Sequence, residues 1–453
     1  MLNLMLLLVL GGCALALANW RWGIAAAIVI GLLQDPLRKL VPGSPGYLAM
    51  ASMPIWLATM ASAAFADQLP IQRFFSGFPR LGKWIVAMIA YLAIPAMISA
   101  TYGRNTWMIT LLGAFVYLTM FLVLVAGWRY PGGTHRIGWI LGFYVIVAAI
   151  LLAGGPMDAW GWSERFPAIG TAAMGHVWVT HRTGAAVYML AGFFRGPDVM
   201  GWHAALVFMV SVIMAFRARG AARWLWIALA VWGVLNIWLC GRRKMLSMVP
   251  IFTGCYLLLV FRFKDVRRIG SILGTVLMIG GLGWYFISSL YRSAAVEAFY
   301  LTAFTQAEEQ IQRHGVDTVL STVKQAGFWG YGLGMSQQGI HHISADKPKV
   351  WQESGPGKLF AEFGVPGSLL LAALGFVFLK TAYLVVRGSR RDESFYFTAG
   401  LFSVLVANLT SAVISAQIFG DPFVAMFLAF LSGLLFSTAR AASAPAAGKA
   451  ARA

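Results

Sequence analysis

The chain is cut into apolar runs, most of them close to the roughly 20 residues that a helix needs to cross a bilayer core. They lie near residues 2–18, 22–33, 46–66, 84–100, 107–127, 138–153, 200–216, 224–240, 246–261, 270–289, 364–386, 396–416 and 422–438. Lipid offers no hydrogen bonds, so backbone in such runs must satisfy itself, and helices do this within one segment. Composition agrees, with 59% hydrophobic and 11% charged residues, against about 25% charged in an ordinary soluble domain. A soluble enzyme, a disordered tail and a nucleic-acid-binding arm are all excluded. The expected fold is all-α: a polytopic integral membrane protein with 12–13 transmembrane helices and one large extracytoplasmic loop. The doubt in number sits at the N-terminus, where Trp20-Arg21-Trp22 interrupts the pattern and Asp35-Pro36 cuts the second run short. One of the first two runs is then interfacial or re-entrant. Gly11-Gly12-Cys13 loosely resembles a lipoprotein cleavage box, but no Lys or Arg precedes it, so an uncleaved first helix is expected.

Net charge is +19, from 35 Lys and Arg against 16 Asp and Glu, with the cations in short clusters between the runs. Cations beside span ends favour the cytoplasmic side. Arg217, Arg219 and Arg223 form one such cluster, Arg262, Lys264, Arg267 and Arg268 another, and Arg387, Arg390 and Arg391 a third. With the tail cations Arg440, Lys449 and Arg452 they place residues 154–199 and 290–363 outside. The organisation expected is an N-terminal bundle over 1–289, an outward loop over 290–363, C-terminal spans over 364–438 and a disordered cytoplasmic tail over 439–453. Localisation follows as a multi-pass membrane protein, and the resemblance given below implies the bacterial inner membrane. Cys13, Cys240 and Cys255 all fall in or beside apolar runs and make no disulfide framework.

Arg242, Arg243 and Lys244 break the charge rule. Single runs separate them from the clusters at 217–223 and 262–268, so three successive clusters cannot all be cytoplasmic. Either the trio lies at an outer helix end, where it needs an anionic occupant, or the two flanking runs form a cytoplasmic re-entrant hairpin. Arginine holds phosphate oxygens bidentately and lysine adds a point charge, so the first alternative predicts a phosphate or pyrophosphate ligand.

The outward loop opens with helical spacing of Val296, Phe299, Phe304, Ile311, Val319 and Val323, which reads as amphipathic helix on the membrane. Gly330, Gly332 and Gly334 then alternate with larger residues, a pattern that permits tight turns with exposed N–H groups. His341, His342, Asp346, Lys347, Lys349 and Glu353 concentrate polar groups after them. No histidine pair has zinc-ligand spacing, so no metal is expected. The shorter loop holds Asp158, Glu164, His176, His181 and Arg182 among Trp160, Trp162 and Trp178. Such rings suit sugar faces, and tryptophan also belts membrane interfaces.

In the order of these parts the chain resembles the O-antigen polymerase and ligase superfamily of membrane glycosyltransferases. The similarity covers roughly residues 225–370. Gly241-Arg242-Arg243-Lys244 looks like the family's basic motif at an outer helix end. The glycine run at 330–334 and Ala361-Glu362-Phe363-Gly364-Val365-Pro366-Gly367 look like the family's loop and its closing element. The resemblance implies an enzyme that needs no metal or cofactor. Its partners would be an undecaprenyl-pyrophosphate-linked glycan, membrane lipids and a chain-length regulator, with no nucleic acid. Carried across, Arg243 acts in catalysis by steadying the leaving pyrophosphate, with Arg242 and Lys244 binding it. His341, His342, Arg182, Gly332 and Gly334 would line the substrate site. Ligases of the family show a His-Asn pair where this chain has Trp351-Gln352-Glu353-Ser354. Either Glu353 takes the general-base role or His342 substitutes, and the departure favours a polymerase over a ligase. A lipid-linked glycan transporter is the alternative from another class, and it fits less well because the apolar runs are nearly acid-free and no repeat is visible.

Overall fold

The computed structural model describes residues 1–103, 105–182, 185–263, 270, 274, 278, 280–282, 285, 289, 299–302, 305–337, 352, 354–389 and 393–443. The expected span at 270–289 falls largely outside the described residues, as do His341, His342, Glu353 and the tail beyond 443. Ten described helices are long and apolar enough to cross a membrane, which makes the chain an all-α multi-pass protein.

Two N-terminal helices, α1 (Leu2–Ala18) and α2 (Trp20–Lys39), pack as a pair. The break expected at Asp35-Pro36 does not end α2, which runs to Lys39 with Pro36 in its last turn. Next come α3 (Met53–Phe65), α4 (Ile71–Gly77), α5 and α6 (Pro79–Tyr91, Ala93–Ala100) and α7 (Thr106–Arg129). After α8 and α9 (Thr134–Leu152, Gly154–Ala159) the chain enters a loop that the sequence pattern did not resolve into elements. This loop carries an antiparallel hairpin, β1 (Val179–Arg182) with β2 (Ala185–Tyr188), paired Val179↔Tyr188 to Arg182↔Ala185.

Three helices then follow: α10 (Pro197–Arg217), α11 (Ala221–Leu239) and α12 (Arg243–Phe263). Pro197 at the helix start needs no hydrogen-bond partner for its nitrogen, and Asp198 places a carboxylate in the first turn, where the helix dipole favours it. Helices α11 and α12 are 19 and 21 residues long and both are candidate spans. Both are thus long and apolar enough to cross a membrane. The C-terminal part holds α13 (Thr318–Ala326), α14 (Gly355–Gly388), α15 (Glu393–Ala412) and α16 (Pro422–Ser443). Helices α10, α15 and α16 are buried almost throughout and form the core. Small residues let α7 and α16 meet backbone to backbone: a Cβ at Gly127 would stand 2.4 Å from the Phe430 carbonyl.

The connections gather at two ends. At one, Trp20 reaches Gln68 and Tyr130, Arg217 lies over the Phe397 ring, and Phe263 packs on Phe395. We call this the basic end, because Arg73, Arg80, Lys83, Arg129, Arg136, Arg217, Arg219, Arg223, Arg262 and Arg387 all lie at it. At the other, the loop end, Arg195 binds both Asp35 and Asp421, and Lys39 donates to the Gly192 carbonyl at 2.9 Å. There too the Leu333 N–H donates to the Pro95 carbonyl, and Tyr300 donates to the Trp238 carbonyl.

Candidate functional site at the loop end

The cation trio begins as a local consequence of chain geometry. Helix α11 stops at Leu239, Gly241 turns the chain with φ +66°, and Arg243 opens α12. That tight reversal projects three consecutive cations from one corner. They do not wait there for a ligand, because Asp198 of α10 already answers two of them. Its carboxylate sits 3.0 Å from Arg242 Nη2 and 2.7 Å from Lys244 Nζ. Asp198 is the functional residue the sequence concealed, and its only signal was an acid in a helix first turn.

Both loops of this end meet on the trio. The Arg242 guanidinium lies 5.0 Å from the ring centre of Trp178, which leads into β1. Arg243 donates to Thr302 Oγ1 at 2.5 Å and lies 5.1 Å from the Phe299 ring. Tyr300 fixes that second segment by packing edge-on against Trp238 at 4.4 Å. The side chains of Arg242 and Lys244 keep 22% and 19% of their surface open, so the corner remains reachable from solvent. Three converging cations near a low-dielectric wall can hold a polyanion and stabilise charge that develops on it. Cys240, beside them, is no nucleophile: burial pushes its thiol up to about 12.

A cleft of about 620 Å³ has Trp178 in its lining. The rest of its lining comes from residues between 158 and 190, together with Leu239. The segment behind it is fixed by charge. The Asp158 carboxylate accepts the N–H groups of Ala191 and Gly192 at 3.2 and 3.1 Å, and Arg195 is clamped between Asp35 and Asp421. Burial works against the Arg195 charge, yet the two carboxylates outweigh it and raise its pKa.

The other sequence candidates are dispersed. Arg182 ends β1 at the hairpin tip. Gly332 and Gly334 are packed against backbone: a Cβ on either would meet Ser99 N at 2.5 Å or the Ile109 carbonyl at 2.2 Å. Their place is a close helix contact, with φ +96° and +82°, and Leu333 between them donates to Pro95. His341, His342 and Glu353 belong to the stretch outside the described residues.

Glu362, part of the closing element, is wholly buried. It accepts from Tyr117 at 2.7 Å, from the Ser336 N–H at 3.1 Å and from Lys358 at 3.0 Å. Lys358 also donates to the Ser336 carbonyl at 2.9 Å. Through Ser336, whose N–H and carbonyl Glu362 and Lys358 engage, this ion pair of α14 ties the preceding loop to the helix.

The fold and this corner define a class, a multi-pass helical membrane protein with an anion-ready cation cluster where two loops converge. A comparison with protein-family models and with curated proteins found no match.

Proposed function

We propose that the protein is a polysaccharide polymerase of the outer face of the bacterial inner membrane. It would transfer a glycan from undecaprenyl pyrophosphate to the terminal hydroxyl of a lipid-linked repeat unit. One observation carries this proposal: the trio Arg242, Arg243 and Lys244 stands where both loops meet, at the end of the bundle opposite the basic clusters. Positive charge marks the cytoplasmic side, so the trio faces outward, where lipid-linked glycans are polymerised in the family that the sequence resembles.

The chemistry is a displacement. The bond between the sugar anomeric carbon and the pyrophosphate oxygen breaks, and the acceptor oxygen forms the new glycosidic bond. The hydroxyl proton passes to a loop base, for which Glu353 or His342 is the candidate. The departing pyrophosphate keeps the electron pair, and Arg242 and Arg243 stabilise its added charge. Asp198 holds the cations in place until the phosphates displace it.

The test is a gel of surface and lipid-linked glycans from a deletion strain complemented with wild type or with Arg243→Ala. Loss of the polymer ladder to single lipid-linked units, with normal Arg243→Ala protein in the membrane, is expected. Polymer accumulating on its carrier would instead indicate a ligase, and an unchanged profile would overturn the glycosyltransferase proposal.

A further inference from the structure

We infer that the cleft beside Trp178 is a saccharide subsite, which seats a sugar of the lipid-linked glycan whose pyrophosphate the cation trio holds. The inference rests on the proposed glycosyl transfer and names the part of the substrate that this surface takes.

Trp178 joins the two surfaces. Arg242 lies over its ring at 5.0 Å, and the same residue lines the cleft. A molecule with phosphate at the trio and a sugar beyond it would therefore pass from cations to aromatic wall without crossing the protein. The wall suits a sugar. Trp160, Trp178 and Tyr188 are 71%, 37% and 63% exposed and border the cleft. Aromatic faces cover the C–H surface of a pyranose, and Glu164 and His176 in the same lining can bond its hydroxyls. The volume, about 620 Å³, lies within the range of about 300–1,000 Å³ usual for small-molecule sites.

An interfacial aromatic belt would place these rings on the bundle's periphery, anchored by lipid. Here they border a concavity whose backbone is held by protein. Asp158 fixes residues 191 and 192, the Gly170 N–H donates to Gly192, and Lys39 donates to the Gly192 and Ala168 carbonyls. A preformed, protein-backed cleft is the mark of a binding site, since its ordering cost is already met by the fold.

The experiment uses the full chain in lipid nanodiscs and saturation-transfer NMR. The probes are methyl glycosides of a hexose, a 6-deoxyhexose and an N-acetylhexosamine. At least one should receive saturation from the protein, with affinity about tenfold weaker in Trp160→Ala and Tyr188→Ala. Trp139→Ala, an exposed ring near Trp22 at the basic end, should bind as wild type does. Trp160 is mostly exposed, so its truncation leaves a folded protein even if Tyr188→Ala fails to accumulate. No glycoside bound by the wild type, or binding undiminished in Trp160→Ala, overturns the inference. The two failures separate cleanly. Glycoside binding with an unaltered glycan gel overturns the enzyme proposal alone, whereas polymer lost in Arg243→Ala without glycoside binding overturns the subsite alone.

Discussion

At the scale of single residues, the informative feature is a carboxylate that competes with the expected ligand. Asp198 sits against Arg242 and Lys244, and an incoming pyrophosphate must take over those contacts. Asp198→Asn should therefore bind inorganic pyrophosphate more tightly, by about fivefold if the pair contributes roughly 1 kcal/mol. Isothermal titration of the purified protein measures this, and weaker binding would show that Asp198 orients the cations instead of opposing the ligand.

Lys39 yields a pH prediction. Burial, only partly offset by the carboxylates of Asp35 and Asp158, pushes it down to about 8 from its ordinary 10.5. Between those values the unfolded chain holds a proton that the folded chain has lost, so stability should rise with pH across that window. Thermal unfolding from pH 8 to 10.5 should show the rise, and Lys39→Met should flatten it; an equal rise in the variant would assign the effect to other groups. The trio itself was legible in the sequence, because it violates the charge rule that its neighbours obey. Its partner was not, since nothing in a linear sequence links Asp198 to a cation two helices' ends away. The Arg195 clamp was hidden for the same reason, with carboxylates 160 and 226 residues distant.

At the scale of elements, α14 shows what apolar periodicity omits. The sequence placed a span from 364 onward, yet the helix starts at Gly355, capped by the Ser354 hydroxyl, which accepts the Gly357 N–H at 3.1 Å. It is broken within the closing element. Gly364 adopts φ +64°, and the loop enters the break, with the Val365 N–H donating to the Phe328 carbonyl at 2.8 Å. The sequence marked the glycines as turns, but their reason is contact between backbones. A Cβ at Gly364 would lie 2.4 Å from the Phe328 carbonyl oxygen. Gly364→Ala should thus lower stability by more than the about 1–2 kcal/mol that a left-handed backbone costs, with the clash added. Gly375 lies on the same helix with nothing within 4 Å of its Cβ position, and Gly375→Ala should be neutral or stabilise by up to about 1 kcal/mol. Thermal unfolding in detergent compares them, and equal effects would remove the argument from loop insertion. If the loop entering this break positions the base, Gly364→Ala should also reduce polymer more than Gly375→Ala does.

For the whole molecule, function depends on which way the two ends face. The basic end carries its cations largely without acids: Arg217, Arg219 and Arg223 border one turn, and Arg129 and Arg136 flank another. The loop end mixes both signs, with Asp35, Asp158, Asp198, Glu362 and Asp421 each engaged by a cation or a backbone N–H. Lys and Arg beside span ends bias those ends toward the cytoplasmic side, and acids contribute little to that bias. Single-cysteine labelling in cells tests the orientation. Ala172→Cys, exposed in the loop that carries the hairpin, should react with a membrane-impermeant maleimide in spheroplasts. Ala221→Cys, exposed at the start of α11, should react only after the membrane is opened. The reverse pattern would put the trio and the aromatic cleft in the cytoplasm, where a glycan already flipped outward could not reach them, and the polymerase proposal would fall with it.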